Sequence, residues 1–204
     1  MNINRWIGEL NGLFGSKDTT AATTTFNIGA IELRNAEFSL INLNTQPITE
    51  GFDYNRIAFT EITGNATDFR FENTEISLNV KLLTGTESNS GLKIQELKTH
   101  LTYTSDYLEL DRLVLKSKNS HIKNYLRFDL IGPQGYSEFI DQVKLTIRLE
   151  ETKIHLDDLR IFVPSLPDFQ DDIYLSGEVV GPVSNMKSDE FLVRLGQKTA
   201  IFGA

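Results

Sequence analysis

From Phe26 onward, apolar and polar residues alternate one by one, and that period of two constrains this 204-residue chain more than any other feature. Ile76, Leu78 and Val80 alternate with Glu75, Ser77 and Asn79, and Leu101 and Tyr103 with Thr102 and Thr104. Leu108 and Leu110 alternate with Glu109 and Asp111. Val143, Leu145, Ile147 and Leu149 alternate with Lys144, Thr146, Arg148 and Glu150. Successive side chains of a strand point to opposite faces, so each run makes one apolar and one polar face. Sheets with one wet face are antiparallel. Recurrence of the pattern nearly to Ala204 therefore predicts an all-β domain over residues 26–204.

Turn chemistry falls between the runs. Residues 85–91 (GTESNSG) predict a connection between a strand ending near Leu83 and one starting at Leu92. Ser105-Asp106 predicts a tight turn, and Gly132-Pro133-Gln134-Gly135 a stop. Parity slips between Leu110 and Leu113, across Asp111-Arg112. A bulge or bend there keeps Leu113 and Leu115 on the apolar face.

Two segments break the β pattern. Trp6, Ile7, Leu10, Leu13 and Phe14 share one helical face within residues 1–14. With only Arg5 and Lys17 basic nearby, docking on the protein's own sheet is favoured over a membrane surface. Residues 15–25, rich in threonine and alanine, read as a flexible linker that completes an N-terminal segment 1–25. Later, Leu156, Leu159 and Phe162 or Val163 stand at helical spacing before Pro164, predicting one or two helical turns that plug an end or corner of the sheet.

Charge and composition narrow the function. A net charge of -8 and a pI of about 4.9 repel a phosphate backbone, so no nucleic-acid partner is expected. The nearest basic group, Lys116, Lys118, His121 and Lys123, reads as a solvated turn. With no cysteine there are no disulfides, thiolate metal sites or cysteine nucleophiles. No apolar run approaches the roughly 18 to 20 residues a spanning helix needs, and residues 1–14 lack the apolar stretch of a secretory signal. His100, His121 and His155 are not at metal-ligand spacing. The pairs Glu150-Glu151, Asp157-Asp158 and Asp171-Asp172 are adjacent, and adjacent strand residues face apart. Asp168, Asp171 and Asp172 do not have the spacing of an EF-hand. No nucleophile elbow, dinucleotide fingerprint or phosphate loop occurs, so no catalytic residue, cofactor or metal is expected.

Several segments, in order, carry a resemblance to a known family: residues 52–65 (FDYNRIAFTEITGN), 91–103 (GLKIQELKTHLTY), 108–115 (LELDRLVL), 125–128 (YLRF), 155–164 (HLDDLRIFVP) and 175–186 (LSGEVVGPVSNM). Over residues 26–204 the chain resembles the TamB and AsmA-like proteins of the Gram-negative envelope, and looks most like the large TamB homologues of Bacteroidetes. The resemblance implies a long curved antiparallel sheet forming an open apolar trough, a non-catalytic role, and phospholipid acyl chains as cargo carried across the periplasm. It also implies a partner barrel of the TamA/BamA type in the outer membrane and an inner-membrane anchor, both lying outside this chain. Without that anchor or a barrel-binding end, the chain reads as an internal segment of a longer protein. Its tail, residues 199–204, alternates like a strand with nothing after it to cap the sheet, so edge-to-edge association is expected.

An apolar face must meet something, whether a second sheet or acyl chains, and alternation alone does not choose between them. Core packing is the plain reading of each stripe residue; the resemblance favours a lipid-facing groove. That groove would comprise Phe59, Phe69, Phe71, Ile76, Leu78, Val80, Leu101, Tyr103, Leu108, Leu110, Leu113, Leu115, Phe128, Leu130, Val143, Leu145, Ile147 and Leu149. The alternative is a chaperone-like interaction module whose sheet edge accepts client strands. A sugar-binding jelly roll is disfavoured because the only tryptophan, Trp6, lies off the strands.

Overall fold

A computed structural model describes residues 25–130, 139–166, 171–188, 190–196 and 199–203. Ten strands follow one another: β1 (Thr25–Ile41), β2 (Arg56–Glu72), β3 (Glu75–Glu87), β4 (Lys93–Tyr103), β5 (Tyr107–Lys116), β6 (His121–Leu130), β7 (Val143–His155), β8 (Asp172–Pro182), β9 (Phe191–Leu195) and β10 (Thr199–Gly203). Helix α1 (Phe139–Gln142) precedes β7, α2 (Leu156–Arg160) follows it, and a 3-10 turn (Val183–Asn185) follows β8. All ten strands form one sheet in sequence order, and every pairing is antiparallel. β1 and β10 are the two edges, so the sheet is open.

This is the all-β class that the alternation predicts. The expected helical plug is α2, and Ser105-Asp106 lies in the short connection between β4 and β5. Other expectations need correction. β3 does not stop near Leu83 but runs to Glu87, and β4 starts at Lys93. Gly85 reads as a turn residue by itself, yet it lies flat beside Ile62 of β2, where an added Cβ would meet the Ile62 side chain at 3.4 Å. Helix α1 and the 3-10 turn are not expected from the sequence, being too short to carry a helical period. Thr25 already belongs to β1 rather than to a linker. The expected helix over residues 1–14, the rest of its linker and the Gly132–Gly135 stop lie outside the described residues.

The slip at Arg112 belongs to a larger pattern. Register shifts occur between Val80 and Leu83 against β4, and between Lys98 and His100 against β5. They continue between Leu110 and Leu113 against β6, His121 and Asn124 against β7, and Leu149 and Thr152 against β8. These positions adjoin one another, forming a seam across six strands. At a bulge one residue leaves the ladder and the strand bends. Arg112 (φ 51°) and Glu151 (φ 46°) adopt the left-handed conformation there. Two buried threonines take up backbone groups along the seam: Thr99 Oγ1 donates to the Asp111 carbonyl at 2.9 Å, and Thr152 Oγ1 accepts from Lys123 N at 3.1 Å.

A left-handed residue with a side chain costs roughly 1–2 kcal/mol, most for β-branched types. Arginine already carries part of that cost, so Arg112→Val should lower stability further by about 1 kcal/mol, whereas Arg112→Gly should leave it unchanged or slightly raised. Urea denaturation of the two variants checks this, and equal losses would remove the conformational explanation.

Candidate functional site

Directly paired residues of neighbouring strands point to the same face. One unbroken row runs from Leu101 through Leu110, Leu126 and Ile147 to Val179. A second runs from Ile76 through Tyr103, Leu108 and Phe128 to Leu145. Following the pairings across the seam places all eighteen expected stripe residues on this one face. Phe59 lies opposite Phe38, Val80 opposite Thr99, Leu113 opposite Asn124, Leu115 opposite Leu97, and Leu130 opposite Val143.

Burial along the face is uneven. Phe69, Phe71 and Ile76 form a buried cluster, with Phe26 edge-on to Phe69 at a centroid distance of 6.3 Å. Leu113, Val143, Leu145 and Leu149 are also buried, while Leu78, Leu101, Leu110 and Phe128 are half-buried. At one edge the face becomes openly apolar: Phe38 and Leu40 of β1 are exposed, as are Leu43 and Ile48 in the β1–β2 connection.

Leu97, Leu126, Ile173, Leu175, Val179 and Val193 also join this face, beyond the eighteen residues expected there. For β8 the signal is present in the alternation of Leu175, Gly177, Val179 and Gly181, but two of its apolar slots hold glycine. A Cβ at Gly177 would fall 2.2 Å from the Glu190 carbonyl oxygen, and one at Gly181 2.4 Å from that of Asn185. The turn after β8 therefore presses against the strand where a larger residue would continue the stripe.

Helix α2 lies over one end of the face. His155 caps it, its Nδ1 accepting from Asp157 N at 3.2 Å, and Leu156 is buried beneath it. The Asp158 carboxylate accepts from Ser117 Oγ and from Ser120 Oγ at 2.6 Å, both in the β5–β6 turn. Ser120 Oγ accepts in turn from His155 N at 2.9 Å. Just past α2, Phe162 packs on Phe52 of the β1–β2 connection with ring centroids 5.2 Å apart. Between α2 and the sheet is a pocket of about 230 Å³. Its sheet wall is Leu92, Ile94, Leu115, Ile122 and Ile154, and its other wall is Leu159 and Phe162.

The opposite face is polar and laced with charge. Arg127 donates to Glu109 at 2.9 Å and Asp129 at 2.8 Å, and lies 3.9 Å over the Tyr107 ring. Burial opposes its charge, but the two carboxylates prevail and hold the guanidinium above its ordinary range. Arg148 covers Tyr125 and pairs with Glu178, and Arg194 covers Tyr174. Stacked guanidinium groups shield the tyrosine rings of this face from water.

Glu96 receives Lys116 and Lys98, each at 2.5 Å, and these hydrogen bonds hold its carboxyl down at about 2. A depressed carboxyl contributes stability above its unfolded value, near 4.3, and loses it as pH falls toward the folded one. Glu96→Gln should therefore cost about 1 kcal/mol or less at neutral pH, since the lysines are well exposed. The difference from the parent should vanish as pH falls through the window from about 4 to 2. Urea titrations across that window check the sign.

Among the described residues no group of His, Asp and Glu is placed to hold a metal ion. His100 bonds Asn79 at 2.9 Å, far from the His155 cap in sequence and role. Among the described residues no helix is long and apolar enough to cross a membrane. No protein-family profile matches the chain, nor does any curated protein or solved structure.

Proposed function

We propose that this chain is a segment of a lipid-conducting trough of the TamB/AsmA-like kind, with phospholipid acyl chains lying along its apolar face. One observation carries the reading. All ten described strands belong to a single open sheet, and apolar rows cross it strand after strand with no second sheet to meet them. Core residues sealed in a sandwich would be buried throughout. Here most of the face is only half-buried, and its β1 rim is exposed. Acyl chains gain about 0.8 kcal/mol for each methylene taken out of water, so such a face solvates them without a headgroup site. The ionic face opposite keeps the segment in water, and conduction along rows needs no catalytic residue. The same reading implies a periplasmic path, tethering to the inner membrane and an outer-membrane barrel of the TamA/BamA type as partner.

Mass spectrometry of lipids copurifying with the folded protein tests the reading, together with photo-crosslinking probes at Leu110, Leu145 and Thr146. Phospholipid should copurify and be captured from Leu110 and Leu145, whereas Thr146, on the polar face, should capture none. Absence of lipid, or capture from Thr146 alone, would sink the proposal. A second reading, strand addition to a client protein, draws on β1. Among the described strands this 17-residue edge strand pairs only with β2, and it exposes Phe38, Leu40 and Ile41. Binding of extended peptides that is abolished by proline in β1, with no lipid bound, would favour it.

A further inference from the structure

The geometry points to the pocket beneath α2 as the seat for the methyl end of a single alkyl chain, a chain stop at one end of the apolar face. The inference rests on the lipid reading and deepens it. Leu115 and Ile122 are direct partners in the register, and Leu115 also pairs with Leu97, so the pocket floor continues the apolar face. Its volume of about 230 Å³ exceeds the ~150 Å³ of apolar cavities that stay dry and admit a benzene-sized guest. The pocket therefore suits a short run of methylenes and is too small for a whole lipid.

Its polar groups decide which end of a lipid enters. Only Ser117, Ser120 and Asp158 are polar in the lining, and they are engaged with one another. No lysine or arginine lines the pocket, and the one charge is a carboxylate. A phosphate or carboxylate headgroup would meet like charge and find no donor, whereas a methyl end loses nothing on entry. The far wall is held at separate points. Asp158 bonds the β5–β6 turn, His155 N bonds Ser120, and Phe162 rests on Phe52. A chain sliding along the rows would thus end against Leu159 and Phe162.

The test uses the whole chain, phosphatidylcholine vesicles and two photoreactive phosphatidylcholines, one with a diazirine at the acyl terminus and one with it on the headgroup. After exchange and illumination, peptide mapping of the wild-type protein should show terminal-probe labelling concentrated at residues 115–122 and 154–162, with none there from the headgroup probe. Leu115→Trp and Ile122→Trp, which fill the pocket, should lose that labelling yet retain labelling near Leu145. Even labelling along the face, or headgroup labelling in the pocket, would overturn the chain stop while leaving the lipid reading intact. No labelling anywhere would overturn both. Because the wild-type map alone decides, a variant that fails to fold does not shelter the inference.

Discussion

Phe71→Ala is expected to lower the unfolding free energy by about 4 kcal/mol, the loss typical of a buried phenylalanine that leaves a cavity behind. Phe71 is 0% exposed and packs with Phe69 and Ile76, with Phe26, Ile28, Ile31, Leu78 and Tyr103 partly buried around them. Phe38 lies on the same face but is 52% exposed, so Phe38→Ala should cost only about 0.5 kcal/mol. The pair separates two roles within one stripe. Where β1 to β4 meet near Phe71, the face is a core that holds the sheet together; at Phe38 it is surface available to something else. Urea denaturation of both variants measures the contrast, and similar losses would show that the face is uniformly packed.

Glu87→Ala should be nearly as damaging, at about 3 kcal/mol. Its side chain is 2% exposed at the end of β3, where it acts as an internal anchor for the following turn. The carboxylate accepts from Ala58 N and Asn89 N, each at 3.1 Å, and from Ser90 N and Ser90 Oγ, each at 2.7 Å. Burial alone would raise its pKa, but the hydrogen bonds from Ser90, Ala58 and Asn89 outweigh burial and hold the carboxyl below its ordinary range. The stability it supplies is therefore present above the ordinary glutamate range and lost as pH falls through the lower, folded value. Glu87→Gln keeps the shape and one acceptor oxygen but turns an amide toward the same donors, so it should lose part of the 3 kcal/mol and all of this acid dependence. Denaturation midpoints at neutral and acid pH check both, and an unchanged midpoint for Glu87→Ala would mean the turn closes without it.

What could be read in advance was local. The alternation around Leu101, Leu110 and Leu145 placed all eighteen stripe residues on one face, because strand parity is a property of consecutive residues. The bulge at Arg112 was legible because the leucine runs that flank it, Leu108-Leu110 and Leu113-Leu115, are of opposite parity. Helix α2 was legible because Leu156 and Leu159 keep helical spacing ahead of Pro164. What was not legible depended on distant partners. Gly85 looks like a turn until Ile62 is seen beside it, and Glu87 looks like a solvated turn residue until Ala58 is seen to donate to it. Likewise, no pattern within residues 156–166 announces that Phe162 will rest on Phe52. The glycines of β8 hid its stripe because the reason for them lies in the turn that crosses them.

Sequential strand order carries a mechanical consequence. Among the described strands each is bonded only to those before and after it in the chain, so β1 and β10 are also the outermost ones. Tension applied at the two termini therefore bears on the edges and parts each ladder bond by bond, instead of shearing many at once. Such a sheet should yield to a pull at low force, one strand at a time, and re-form in the same order when the load is released, as quasi-one-dimensional proteins do. It should behave as an extensible sleeve rather than a rigid strut, with the seam and the Phe71 cluster marking where the unzipping pauses.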